Sequence, residues 1–260
     1  MNVVVGAHSD VGRVRSHNED SYFTGQRIWA VADGMGGQAA GDVASAIVTR
    51  FLRDADAGPL VPDDLTRLIA GINDAILDYA RRHPAAAGMG STLSGIASIQ
   101  VGNARHWSVF NVGDSRVYRF VDGQLLRETV DHNEAAELVE AGRLDPAEAA
   151  SHPGRNVLTR ALGSLPAPTP DISWLPQGRD ETFLICSDGL TSEVTDDAIA
   201  SVLRRYDDPG AAADRLVDLA LARGAHDNVT AVVVTARRDG ASHPRRAAGS
   251  TAPRRQLDAV

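Results

Sequence analysis

Apolar positions along the 260-residue chain follow two different periods. Val3 to His8 is a short β-branched run, and Ile28 to Ala32 is another that ends in Asp33-Gly34; both predict strands. Between Gly41 and Ala55 the spacing turns helical, with Val43, Ile47, Phe51 and Leu52 on one face. Asp63 to Arg82 repeats that pattern through Leu65, Leu68, Ile69, Ile72, Ile76 and Leu77, and Pro84 stops it. Strand-like segments follow at Thr92–Val101 and Ala104–Val112, joined by Gly102-Asn103. Arg116–Val121 and Gln124–Thr129 are joined by Asp122-Gly123. Both junctions are tight-hairpin signals. Short helices are predicted over Asn133–Ala141 and Asp145–Ala150, and a proline-rich loop over Ser164–Gly178. The chain then reads as a buried strand at Thr182–Ser187, helices at Asp196–Arg205 and Pro209–Arg223, and a last strand at Val229–Ala236. Successive hairpins exclude a doubly wound parallel sheet and predict an α+β sandwich, sheets inside and helices outside.

From Arg237 to Val260 the pattern stops. Six arginines and two aspartates stand among Pro, Ala and Gly with no apolar period. This segment reads as a disordered, solvated basic tail rather than a docking arm for acidic partners, leaving 1–236 as the folded domain.

Composition narrows the chemistry. The net charge of −8 argues against a nucleic-acid binder that works by broad positive potential. Every basic residue is arginine, so neither a Schiff-base lysine nor a Walker-type phosphate loop is possible. The one cysteine, Cys186, forbids an internal disulfide and lies in an apolar run, as a buried structural thiol would. A cysteine-based phosphatase needs arginine six residues on, where Ser192 stands. With neither a signal peptide nor a membrane span in view, the expected setting is the cytoplasm, and the default state is a monomer.

Five acidic motifs share one habit: an aspartate at a strand end beside Gly, Asn or Ser. They are Asn18-Glu19-Asp20, Asp33-Gly34-Met35-Gly36-Gly37, Gly113-Asp114-Ser115-Arg116, Ser187-Asp188-Gly189 and Asp227-Asn228. Any one alone reads as a turn. Five together on one rim suit hard cations, which take oxygen ligands. Arg15 is close enough in sequence to Glu19 to set a guanidinium beside the same site, where it would grip phosphate. Gly34 to Ala39 also fits a dinucleotide fingerprint, with Asp54 about 20 residues on. However, Asp33 would press a carboxylate towards the pyrophosphate, and the hairpins contradict a βαβ series.

In order and content these motifs, with Asp131-His132, resemble the metal-dependent serine/threonine phosphatases of the type 2C class, over about Ser9 to Thr235. The resemblance implies a four-layer αββα sandwich of two antiparallel sheets. It implies hydrolysis of phosphoserine and phosphothreonine in proteins by a hydroxide bridging two manganese or magnesium ions, opposed by a serine/threonine kinase. By the same resemblance Asp33 bridges two ions and the Gly34 carbonyl holds the second. Asp188 and Asp227 complete the first, and Glu19 touches the second through water. Asp114, with Asp188, takes a third, looser ion. Arg15 holds the substrate phosphate, and Asn228 orients Asp227 or caps the last strand.

The chain departs from the pattern at Met35, where many members carry a histidine that can protonate the leaving group. A metal-bound water is then the first candidate donor, with His132 and His152 as the others. Glu134 to Asn156 resembles the flap of the bacterial branch, and Asn156 stands near the place where some relatives use a serine at the third ion. A pseudophosphatase would have lost ligands, and this chain keeps Asp33, Asp114, Asp188 and Asp227.

Overall fold

A computed structural model describes residues 2–36, 40–149, 151–178 and 180–237. The expected tail beyond Arg237, the end of the second flap helix at Ala150, and Gly37 to Ala39 of the glycine motif lie outside the described residues.

Two antiparallel sheets face one another. The first runs β1 (Asn2–Asp10), β11 (Val229–Arg237), β10 (Asp180–Cys186), β7 (Arg116–Val121), β8 (Gln124–Arg127). The second runs β2 (Asp20–Thr24), β3 (Ile28–Met35), β5 (Leu93–Val101), β6 (Ala104–Val112), β9 (Asp171–Pro176), with the two-residue β4 (Gly90–Ser91) paired antiparallel to the end of β3. Alternation along the strands divides the apolar residues among three cores. Trp29, Val31, Ile96, Trp107, Val109, Val117, Phe183, Ile185, Val232 and Val234 fill the space between the sheets. On the outer face of the second sheet, α1 (Gly41–Ala55) and α2 (Pro62–Arg82) bury Val48, Leu52, Leu65, Ile69, Ile72 and Ile76. On the outer face of the first, α6 (Asp196–Arg205) and α7 (Pro209–Arg223) bury Ile199, Leu203, Leu216 and Val217. This is the αββα sandwich expected.

Local chemistry explains the boundaries. Pro62 starts α2, whose Asp64 carboxylate accepts the Val61 N–H at 2.8 Å. Asp208 caps α7 by accepting the Ala211 N–H at 2.8 Å. Asp122 and Gly123 both have positive φ, 51° and 77°, as a two-residue hairpin turn that follows strand twist requires. Arg81-Arg82 and Arg204-Arg205 fall in the last turns of α2 and α6, where they offset the helix dipole.

Two expectations need correction, and one strand, β2, had no counterpart in the sequence pattern. Ser164–Gly178 is not all loop, because β9 lies within it and pairs with β6 from His106↔Pro176 to Asn111↔Asp171. β9 is an edge strand with Pro176 at its end, so the missing N–H costs little. β3 does not stop before Asp33-Gly34 but runs through both to Met35, with Gly34↔Ser91 paired to β4. β2 carried no clear alternation, and it is held chiefly by its pairing with β3.

Candidate metal centre

The rim at the C-terminal end of β3 gathers the acidic motifs. Asp20 and Asp33 are directly opposite on β2 and β3, a like-charge cross-strand pair that is unfavourable by itself. Gly34 is forced by contact, since a Cβ there would come 2.0 Å from the Gly41 carbonyl and 2.6 Å from that of Glu19. The same closeness sets the Glu19 carboxylate against Gly41, at the positive end of α1. Asp188 opens the short helix α5 (Asp188–Thr191) just after β10, and Asp227 lies just before β11. A Cβ on Gly189 would meet the Asn228 carbonyl at 2.0 Å, so glycine lets these two loops touch. Asp114 follows β6 and is buried.

The electrostatics are those of crowded carboxylates. Burial pushes the Asp33 carboxyl well above the usual range, and the charges of Asp20, Asp188, Asp114 and Asp227 push it further. Asp188 is raised by burial and by Asp227. Asp114 is pushed up to about 8 by burial and by Asp188. Asp20, raised to about 7 mainly by burial, accepts from Ser187 Oγ and Thr230 Oγ1, each at 2.7 Å, while its Oδ1 is buried with no hydrogen-bond partner. Arg15 reaches this rim, where its Nη2 donates to Asp227 Oδ2 at 2.8 Å, and Arg116, paired with Asp131, lowers Asp114 and Asp188 only in part against their burial. A buried set of oxygen donors short of positive charge fits hard divalent cations. Among the described residues no three acidic, thiol or imidazole side chains close into a ready cage.

Asn228 acts differently from either expectation. Its side chain accepts the Glu19 N–H and donates to the Val11 and His17 carbonyls, each at 2.9 Å. It thus fastens the loop that carries Arg15 and Glu19, and only its backbone N–H reaches Asp227 Oδ1. Asp131 anchors Arg116 through two bonds, Nε to Oδ1 at 3.0 Å and Nη2 to Oδ2 at 2.8 Å, and also meets Arg127.

His132 and His152 have structural work. His132 is buried, accepts the Gly113 N–H on Nδ1 and faces Asp171 with Nε2, while His152 accepts the Gly154 N–H. Asn156 lines a cavity of about 910 Å³ with Asp114 and Asp188, beneath the flap helices α3 (Glu134–Glu140) and α4 (Pro146–Ala149). Sequence reasoning gave no role to Asp20, Ser187 or Thr230. Nothing in the sequence announces that Asp20 sits buried against residues 167 and 210 positions away.

Two stacked sheets with helices outside, and aspartates gathered on one rim, define the fold class of the metal-dependent phosphatases. The description Protein phosphatase 2C matches residues 12–222, and the chain belongs to that family. It is 41% identical over 230 residues to the serine/threonine protein phosphatase PstP of Mycobacterium tuberculosis, covering 87% of this chain and 44% of that relative's length. The chain thus spans less than half of that longer protein. The serine/threonine phosphatase stp of Listeria monocytogenes is 35% identical over 238 residues, covering 87% of this chain and 93% of its own length. The crystal structure of the M. tuberculosis serine/threonine phosphatase PstP/Ppp superimposes with a TM-score of 0.82 at 39% identity, covering 91% of this chain and 99% of that one. The PstP catalytic domain in complex with two manganese ions gives 0.80 at 36% identity, over 89% of this chain and 97% of that one. No helix among the described residues is long and apolar enough to cross a membrane.

Proposed function

We propose that this chain is a metal-dependent serine/threonine protein phosphatase. The observation that carries the reading is the crowding of Asp33, Asp114, Asp188 and Asp227, whose mutual repulsion burial sharpens. Two divalent cations, manganese or magnesium, would supply there an activated water as nucleophile and neutralise charge on the phosphoryl group. Asp33 would bridge them, Asp188 and Asp227 would complete one, and the Gly34 carbonyl would hold the other with Glu19 acting through water. Asp114 and Asp188, facing the cavity under the flap with Asn156, would take a third.

The chain's own residues do the rest. Arg15 is poised to turn from Asp227 to the substrate phosphate, gripping it bidentately. Asn228 holds the Arg15 loop at the right height. Cys186 is not a nucleophile, because its buried thiol is pushed up to about 12, first by burial, and packs in the apolar core under α6 and α7. The engagement of His132 and His152 in structural bonds favours water as the proton donor to the leaving alkoxide.

The substrates are phosphorylated proteins, opposed by a serine/threonine kinase in a bacterial, cytoplasmic signalling system, and the working unit is a monomer. The catalytic domain runs to the end of β11 at Arg237.

Hydrolysis of p-nitrophenyl phosphate and of a phosphothreonine peptide tests this, with manganese, magnesium or chelator, for wild type and Asp188→Ala. Turnover that needs the cation and Asp188 is the expected result. A folded protein inert with every divalent ion would overturn the enzyme reading, and activity indifferent to chelator would overturn the metal site.

A further inference from the structure

Beneath the acidic rim, buried hydroxyls meet at Thr92, which stands between β4 and β5 and is 1% exposed. Thr92 holds the backbone of Asp33 twice. The Asp33 N–H donates to Thr92 Oγ1 at 2.9 Å, and the Thr92 N–H donates back to the Asp33 carbonyl at 2.9 Å. The same Oγ1 shares a 2.8 Å hydrogen bond with the Oγ of Ser115, the buried residue directly after Asp114. One hydroxyl thus touches the backbone of one carboxylate and the chain neighbour of another.

The methyl group is used as well. Gly113, directly before Asp114, has a φ of +107°, and a Cβ there would come 2.6 Å from Thr92 Cγ2. The loop that carries Asp114 therefore rests on the methyl while Ser115 is tied to the hydroxyl. Serine at this position would lack the first contact and valine the second. Other bonds fix the same loop without reaching Asp33. Asn111 Nδ2 donates to the Gly113 carbonyl at 3.1 Å, Ser94 Oγ to the Ser115 carbonyl at 2.8 Å, and the Gly113 N–H to His132 Nδ1 at 3.1 Å. Buried polar groups that are paired in this way hold one arrangement, because leaving any of them unpaired is costly.

We propose that Thr92 is a shared positioning residue, which sets Asp33 for the cation pair through its own hydrogen bonds and Asp114 for the third cation through Ser115. The proposal rests on the metal-site reading above. Groups that orient ligands in this way typically change metal affinity by about 10–100-fold when removed.

Manganese binding to the chelator-stripped full chain tests it without turnover. Titration followed by the electron paramagnetic resonance of free manganese reads the tight pair and the looser third ion at different concentrations, beside thermal melts in chelator. Thr92→Val keeps the shape and removes the hydroxyl, and should weaken both classes of site about tenfold or more. Thr92→Ser restores the hydroxyl and should bring the tight pair back to within about twofold of wild type. Ser115→Ala leaves Thr92 on Asp33, so it should weaken the third ion about tenfold while the tight pair stays within about twofold. A merely structural threonine would lower the melting temperature in chelator and leave both affinities as they were; that result in Thr92→Val overturns the proposal. Should Thr92→Val fail to fold, a third-ion affinity unchanged in Ser115→Ala overturns it equally. Wild-type chain that binds no manganese overturns the metal centre itself, and this proposal with it, whereas normal wild-type binding with indifferent variants overturns only the role of Thr92.

Discussion

Arg15 and Asp227 are 212 residues apart in sequence, and their side chains meet at 2.8 Å on the acidic rim. The pair is open to water, with Arg15 53% and Asp227 40% exposed. Exposed ion pairs contribute about 0–1 kcal/mol to stability. The contact therefore says more about where charge is needed than about what holds the fold.

Replacing Arg15 by lysine keeps the charge and removes the two-pronged donor. Stability should move by less than about 1 kcal/mol, while kcat/KM on a phosphothreonine peptide should fall roughly 10–100-fold, mainly through KM. Steady-state kinetics beside urea denaturation separates the two. A large loss of stability with intact kinetics would make Arg15 a structural residue.

Asn228 is the less visible partner of that loop. Removing its side chain leaves the Glu19 N–H and the Val11 and His17 carbonyls without their bonds. Asn228→Ala should cost about 2–4 kcal/mol by denaturation and reduce activity by loosening Arg15. Asn228→Asp should be worse in chelator, because it adds a negative charge to the rim, and manganese should narrow the gap between the two variants. Equal stability of both variants in chelator would mean that charge on the rim is not limiting.

The sequence made the sandwich readable because alternation, hairpin turns and helix starts all agreed. Gly41–Ala55 is a helix from end to end, and Gly102-Asn103 and Asp122-Gly123 turn their hairpins. Where one signal contradicted another, it failed. Pro166, Pro168 and Pro170 hid β9, whose support is the neighbouring strand β6 rather than its own composition. The acidic motifs could be found in the sequence because each carries its own turn residues. Asp20's hydroxyl partners and Asn228's clamp could not, since both depend on register between segments distant in the chain.

Asp33 should show function and stability in opposition. Asp33→Asn replaces a carboxyl that burial and its neighbours' charges force to hold a proton with a neutral amide of the same shape. Activity should drop by roughly 10²–10³-fold or more. In chelator the variant should melt at the same temperature as wild type or higher, and added manganese should stabilise it far less. Calorimetric melts with and without the cation read both effects. A variant much less stable than wild type in chelator would show that Asp33 is held by favourable contacts and not by the need for an ion.

Proton linkage gives the same cluster a pH signature. Asp20 is raised to about 7 and Asp114 to about 8, burial being the first cause in each, and Asp33 and Asp188 are raised in the same direction. Unfolded aspartates titrate near 3.9, so between roughly pH 4 and 8 the folded chain holds more protons than the unfolded one. Stability in chelator should therefore fall as pH rises through that window, opposite to the usual trend for salt-bridged carboxylates. Manganese favours the ionised forms, so its stabilisation should grow with pH over the same range. Thermal melts at pH 5, 6.5 and 8, with chelator and with manganese, should diverge steadily. Chelated protein that grows more stable from pH 5 to pH 8 would mean that the carboxylates are already ionised and neutralised within the fold, and the argument for a cation at Asp33 would lose its electrostatic basis.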